Sequence, residues 1–414
     1  MLPPEIRSVV GIDVAKQAHV VCALEAPNGG IRHKPSRIEA TAEGYALLCS
    51  WLETWGNPEQ TVIGLEATGP LWEPLYDTLT QAGYTVLLLN PRQTASWASS
   101  LGLRAKTDGI DAQTLARGLL AGLARASTLP SEAVQALRTL TRARRDLIQS
   151  RTATRQRLHD ELVPLFPEFV RFLPTLPGRA DLGEPAVLAL LSTYSSAHAM
   201  AQVSLDALTT TLERVSGGRW GHDQAHALQE LAHHSTASTR AVSARSVVAR
   251  TLAQQLQELA VHITELEAAI AELLKDDADG QRLQAIPGIG PLTAATIRAE
   301  LGDITRFQRV DEVVAYAGLD PRTRQSGAFL GQKQLSKRGP GALRHALYLA
   351  AFVAARCVPE WRARNERLRA RGHAKKEAYT ILARALLRVI YHLLRTGDAY
   401  DPTLLNPPAP APVG

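Results

Sequence analysis

Cysteine is scarce in this chain: Cys22, Cys49 and Cys357 are the only three, and their spacing matches no motif. That excludes a disulfide framework and a cysteine zinc site, and it fits a reducing cytoplasm. Long hydrophobic runs are also missing. No stretch approaches the ~20 apolar residues of a membrane span, and the N-terminus lacks the basic-then-apolar pattern of a secretion signal. The expected location is the cytoplasm, with no membrane partner. Histidine offers no metal signal: His19, His159, His198, His222, His226, His233 and His234 show no ligand spacing.

The 414 residues suffice for roughly two to three domains, and the 45% apolar content is ample for a sizeable core. Net charge is +6 and the pI about 9.3. Lys and Arg are uneven, clustering in RARRDLIQSRTATRQR (142–157) and across 320–388. Such asymmetry favours a nucleic-acid partner over a small acidic one; solvated helix faces are the plainer alternative.

Residues 1–125 alternate between strand-like and helix-like segments. Strands are predicted over 7–14, 18–25, 61–66 and 84–90, with IEAT (38–41) adding another, and helices over 43–55, 71–82, 92–101 and 109–122. This order indicates an α/β domain, a mixed sheet with helices on its faces. Residues 131–165 read as one long Arg-rich helix ended by Pro164 and Pro167. Residues 166–245 form a Pro-punctuated helical stretch. In 249–275, Leu252, Leu256, Leu259, Ile263, Leu266, Ile270 and Leu273 step by alternating fours and threes. That seam predicts a coiled coil, with the 131–165 helix or with another subunit, or else a buried core helix. The expected division is a catalytic domain over 1–128, a helical and coiled-coil region over 129–280, a mostly helical C-terminal domain over 281–400 and a disordered tail over 401–414.

Four acids stand out. Asp13 lies in SVVGIDVAK, Glu66 in TVIGLEATG, and Asp108 and Asp111 in AKTDGIDAQTLA. An ionised carboxylate inside an apolar strand is costly unless paired, so Asp13 and Glu66 suggest shared divalent cations. Asp108 and Asp111 fall on one helical face. A strand Asp, a later strand Glu and a helical Asp pair are what an RNase H-like, RuvC-like nuclease core needs. Carboxylates suit Mg²⁺ or Mn²⁺, and two such ions can clamp a phosphoryl transfer. Structural readings stand beside this one: Asp13 capping a turn, Glu66 hydrogen-bonded, and Asp108 as an N-cap with Asp111 at the third helical position. The phosphate loop of actin-like sugar kinases fits poorly, because Val14, Ala15 and Lys16 stand where it needs Gly and Thr.

Further on, LQAIPGIGPLTAATIRAELGD (283–303) has the form helix, PGIG turn, helix. Gly288 and Gly290 permit a tight turn, and the following helix N-terminus is suited to a DNA phosphate; a corner without ligand is the alternative. Then come Arg322, Arg324, Lys333, Lys337, Arg338 and Arg344 among Gly and Ser, a make-up able to hold phosphates, with Lys106 upstream. Ser326 in RQSG is a candidate nucleophile. Ser336 in LSKRG has comparable neighbours, and both are also ordinary turn hydroxyls.

GIDVAK, GLEATG, NPRQ before LRAKTDGIDA, IPGIG, AGLDPRTRQSG and LSKRGPGALRHALY follow one another in an order that resembles the DEDD transposases of the "one-ten" insertion-sequence family, which includes Piv-type DNA invertases. The resemblance spans about 1–160 and 280–400. It implies a RuvC-like domain joined through a coiled coil to a C-terminal transposase domain. It implies Asp13, Glu66, Asp108 and Asp111 as the metal-binding tetrad and Ser326 as the nucleophile. It further implies a composite active site shared between subunits, a dimeric or tetrameric assembly, donor and target DNA as substrates, and a structured guide RNA from the same element. A hydrolytic RuvC-like junction nuclease, and a DNA-binding protein whose acids are structural, remain the alternatives.

Overall fold

The computed structural model describes residues 3–67, 69–89, 91–100, 107–123, 129–322, 325–326, 329–330 and 334–401. The chain divides into two compact units, Met1–Leu129 and Pro130–Gly414. No single helix among the described residues is long and apolar enough to cross a membrane.

The first unit is a mixed five-stranded sheet with helices on both faces. In chain order it comprises β1 (Ser8–Asp13), β2 (Ala18–Glu25), β3 (Ile31–Glu39), α1 (Ala42–Trp55), β4 (Thr61–Glu66), α2 (Glu73–Gln81), β5 (Thr85–Leu89), α3 (Pro91–Ser100) and α4 (Asp108–Leu120). The sheet runs β3-β2-β1-β4-β5; the first three strands are antiparallel and β1, β4 and β5 are parallel. Strand alternation sorts the side chains. Val10, Ile12, Ile63 and Leu65 pack with Leu48, Leu52, Leu75 and Leu79 of α1 and α2. Val9 and Val62 pack on the other face with Trp97 of α3 and Ala112, Leu115 and Leu119 of α4.

The predicted strand at 38–41 proves to be the end of a nine-residue edge strand. Its mostly exposed, charged sequence, IRHKPSRIE, hides it from a hydrophobicity pattern, and Pro35 is tolerated because an edge strand need not use every N–H. Gly11 is where α4 comes closest to β1. A Cβ there would lie 2.2 Å from the Ala112 carbonyl oxygen and 2.5 Å from the Ala116 nitrogen, so only a glycine lets the backbone of α4 rest on β1.

The second unit begins with α5 (Glu132–Leu165), followed by α6 (Pro167–Phe172), α7 (Pro185–Thr193), α8 (Ala197–Gln202), α9 (Leu205–Ser216), α10 (His222–His233) and α11 (Val242–Lys275). Pro164 lies within the last turn of α5 and Pro167 opens α6, so the break falls between the two prolines. The heptad seam of α11 meets α5: Leu137 shares one core with Ile270 and Leu274, while Leu158 and Leu162 share another with Leu252 and Leu256. The two long helices therefore run antiparallel, linking two cores, and Arg144–Glu267 at 2.6 Å and Arg245–Glu161 at 2.9 Å tie them along their length.

The remainder comprises α12 (Ala278–Gln284), α13 (Pro291–Leu301), α14 (Val310–Ala317), β6 (Pro321–Arg322), β7 (Gln325–Ser326), β8 (Phe329–Leu330), β9 (Gln334–Leu335), α15 (Gly341–Cys357), α16 (Pro359–Ala370) and α17 (Lys375–Thr396). Gly288 has a φ of +95°, and a Cβ there would meet the α15 backbone at 2.8 Å. Its immediate role is thus packing.

Replacing Gly11 with Ala is expected to lower the unfolding free energy by about 1–3 kcal/mol, as overpacking does. Chemical denaturation measures this; a wild-type midpoint would show that α4 does not rest on β1.

Candidate functional site

Asp13 and Glu66 end their strands instead of lying within them, and each is half-buried. This relieves part of the desolvation cost expected for a carboxylate inside a strand. Ile12 pairs with Leu65, so one step on Asp13 and Glu66 stand side by side at the C-terminal ends of adjacent parallel strands. Alternation turns both toward the α4 face, the face of Gly11 and Val62.

Helix α4 supplies the other two acids. Thr107, not Asp108, is the N-cap: its hydroxyl accepts from the Ile110 N–H at 3.3 Å. The reading of Asp108 as cap and Asp111 as third residue is corrected accordingly; neither carboxylate is needed to start the helix. The helix runs from Gly109, 3.2 Å from Pro35 when given a Cβ, to Leu120, 3.1 Å from a Cβ built on Gly29 in the β2–β3 turn. Its first turn therefore approaches the edge strand β3, and its middle rests on Gly11 of β1. Asp108 is exposed and Asp111 half-buried. Among the described residues, no three His, Cys, Asp or Glu side chains form a group that could hold an ion. Each of the four offers carboxylate oxygens, the donor chemistry of a hard divalent cation.

Sequence patterns gave no sign of Thr94. On α3, 6% exposed, its hydroxyl lies 2.9 Å from Glu66 Oε2 and 3.0 Å from the Pro91 carbonyl. The single proton is shared, and Glu66 is steered from beneath. A cavity of about 650 Å³ opens at the same end of the sheet, lined among others by Lys16, His19, Tyr45 and Leu71. Burial holds His19 below its ordinary pKa. The Ala15 N–H points at its Nδ1, 3.3 Å away, so its remaining proton sits on Nε2, 3.3 Å from the Tyr45 hydroxyl.

In the second unit, β6 pairs with β9 and β7 with β8, so Ser326 stands opposite Phe329 in the inner pair. The backbone of Arg322 and Ser326 is described, whereas Lys106, Arg324, Lys333 and the tail 402–414 lie outside the described residues. Ser336 is committed elsewhere: its hydroxyl donates to the Asp320 carboxylate and its N–H to the Asp320 carbonyl at 3.0 Å, closing the base of the β6–β9 pair. Arg344 braces the same base through Nη1, 3.2 Å from the Ala317 carbonyl and 2.7 Å from that of Gly339. Lys337 and Arg338 are exposed beside it, Lys337 with a φ of +50°. Gly290 begins α13 with open space around it.

The basic stretch on α5 differs from a free cationic surface. Arg142 makes a two-pronged bond to Glu300, at 2.9 and 3.0 Å, and Glu300 is 2% exposed. Arg144 and Arg155 pair with Glu267 and Asp181.

Thr94→Val is expected to cost about 1 kcal/mol of stability through loss of the hydroxyl. An unchanged denaturation midpoint would show that the hydroxyl does not hold Glu66.

Comparison with known proteins places these features. A sequence model described as a transposase, of the DEDD IS110 type, matches residues 10–167, and one described as transposase IS116/IS110/IS902 family matches 280–366. The chain is 29% identical over 299 residues to the 43.6 kDa protein of insertion element IS110 of Streptomyces coelicolor, covering 72% of each. It is 27% identical to the 44.8 kDa protein of insertion element IS116 of Streptomyces clavuligerus, covering 96% of each. To the pilin gene-inverting protein of Moraxella bovis it is 23% identical over 95% of this chain and 98% of that one. With both models in the family's order and relatives matched along nearly their whole length, the chain belongs to the IS110 family of transposases.

Proposed function

We propose that this transposase exchanges DNA strands through a serine nucleophile, Ser326, working with the carboxylates Asp13, Glu66, Asp108 and Asp111, and that a structured RNA from the same element guides it. The observation that carries the carboxylate half is the pairing that sets Asp13 beside Glu66 at the ends of adjacent parallel strands, on the sheet face against which α4, the helix of Asp108 and Asp111, is packed. The strand order β3-β2-β1-β4-β5, with helices on both faces, supports an RNase H-like, RuvC-like core. Asp13, Glu66, Asp108 and Asp111 would hold Mg²⁺ or Mn²⁺, which when bound supplies positive charge against the phosphoryl oxygens.

On this account the Ser326 oxygen bonds to a DNA phosphorus as the phosphorus–oxygen bond to one sugar breaks, leaving a sugar hydroxyl. The reverse attack by another sugar hydroxyl rejoins the strand, so no ATP is required. Lys106, Arg322, Arg324, Lys333, Lys337 and Arg338 are assigned to phosphate contacts, and Arg344 to bracing the segment that carries them. The turn at Gly288 and Gly290 and the start of α13 serve as a helix-hairpin-helix phosphate contact. A dimer or tetramer brings the two kinds of unit to one reaction. The pilin gene-inverting relatives, by their name, support DNA rearrangement over simple cutting.

Ser326→Ala is expected to abolish covalent protein–DNA adducts while DNA and RNA binding persist; adducts at the wild-type level end the serine assignment. Asp13→Asn and Glu66→Gln are expected to slow divalent-ion-dependent strand exchange about a hundredfold or more. Free 5′-phosphate ends with no adduct would identify a hydrolytic junction nuclease instead. Sequencing the RNA that copurifies with the protein tests the guide, and no enrichment of element-encoded RNA removes it.

A further inference from the structure

The loops that leave the two acid-bearing strands also wall a cavity. β1 ends at Asp13 and β4 at Glu66. Ala15 and Lys16, which follow β1, and Pro70 and Leu71, which follow β4, line the space of about 650 Å³ already described. Tyr45 of α1 and His19 of β2 line it as well. Its size falls within the roughly 300–1,000 Å³ of small-ligand sites, and every one of these residues belongs to the first unit.

The lining is mixed in a way that suits a nucleotide. Ala15 and Pro70 are exposed and Leu71 is half-buried, so apolar surface is left facing the cavity. Beside it an aromatic ring is held in place. His19, 1% exposed, stacks on Tyr45 with ring centroids 5.8 Å apart and planes inclined by 20°. The Ala15 N–H, 3.3 Å from Nδ1, leaves the His19 proton on Nε2, 3.3 Å from the Tyr45 oxygen. That oxygen accepts from the histidine, and the phenol proton remains to be donated. Lys16 adds a cation on a flexible stem, and no Asp or Glu is among the described residues that line the cavity.

A base supplies the flat face that an aromatic ring stacks on, whatever its sequence, and a phosphate supplies the charge that a lysine meets. The position fits too. Lys16 follows Asp13 by three residues, which the chain spans in at most about 11 Å. The acids turn to the α4 face of the sheet, whereas the cavity is lined from the α1 face. The two sites therefore flank one strand end, and a nucleic-acid strand that crosses the end of β1 meets both.

We infer that this cavity seats an unpaired nucleotide adjoining the phosphate held at the acids, with its base against Tyr45 and its own phosphate on Lys16. This deepens the strand-exchange function proposed above and rests on it. DNA and RNA strands both offer the required chemistry.

The test uses the full-length protein with single strands of DNA and of RNA of one sequence, each carrying iodouracil. Irradiation joins that base to an aromatic side chain lying against it, and mass spectrometry locates the joined peptide. The crosslink is expected at Tyr45, and the strand that gives it identifies the source of the nucleotide. Tyr45→Phe, which keeps the ring, should retain it. In fluorescence anisotropy Tyr45→Leu is expected to weaken binding of that strand about tenfold, the order of one lost base–aromatic stack. Lys16→Gln, at an exposed position, should shrink the log–log salt slope by about 0.7, the share of one single-strand phosphate. No crosslink at Tyr45 on either strand, or wild-type affinity in both Tyr45→Leu and Lys16→Gln, overturns the pocket; strand binding and exchange by the wild type then leave the transposase function standing. A wild-type protein that binds neither strand overturns the function on which the pocket rests.

Discussion

The close approach of α4 to β1 at Gly11 is the constraint on which the first unit of this protein depends. Any side chain at position 11 would push the helix backbone away from the strand. Parallel pairing of those strands fixes Asp13 beside Glu66, and alternation turns both to the helix side. Thr107 caps α4, so neither Asp108 nor Asp111 is needed to start the helix. Thr94, packed beneath, steers Glu66. Hydrophobic packing sets these positions; the acids lie where the packing ends.

Electrostatics organises the second unit in two opposite ways. On α5 the arginines are structural: Arg142 is held by the buried Glu300, and Arg144 crosses to α11. A guanidinium bonded in this way to a buried carboxylate contributes to the fold and is costly to break from one side. Elsewhere the same residue type stays at the surface: Arg151 and Arg157 on α5 are exposed, and Arg388 on α17 bonds Asp311, itself 75% exposed.

Much of the first unit was legible in the sequence. The runs around Asp13 and Glu66 are short, apolar and bounded, and they became β1 and β4 with the acids at or near the predicted ends. The heptad seam of α11 was equally readable, because a period of seven held over several turns marks a helix packed along its length. Its partner was not readable, since a seam states that something packs there and not what. The edge strand β3 was mostly missed because its residues face solvent and carry no apolar rhythm. The reading of Asp108 as an N-cap failed because Thr and Asp cap by the same chemistry, and only the backbone shows which of two neighbours does so. Ser336 and Ser326 looked alike in sequence. The bond that Ser336 makes to Asp320 was not legible either, since it joins residues sixteen apart.

By itself the sequence determined the strands and long helices, the four acids and the order of motifs shared with the IS110 transposases. Local chemistry and periodicity suffice for these, because each is written within about ten to thirty consecutive residues. Tertiary structure alone decided that α11 packs on α5, that Thr94 supports Glu66 and that Arg142, Arg144 and Arg155 of α5 are spent on ion pairs. Each of these joins residues far apart in the chain, and burial and charge compensation act on distances in space that spacing along the sequence does not record.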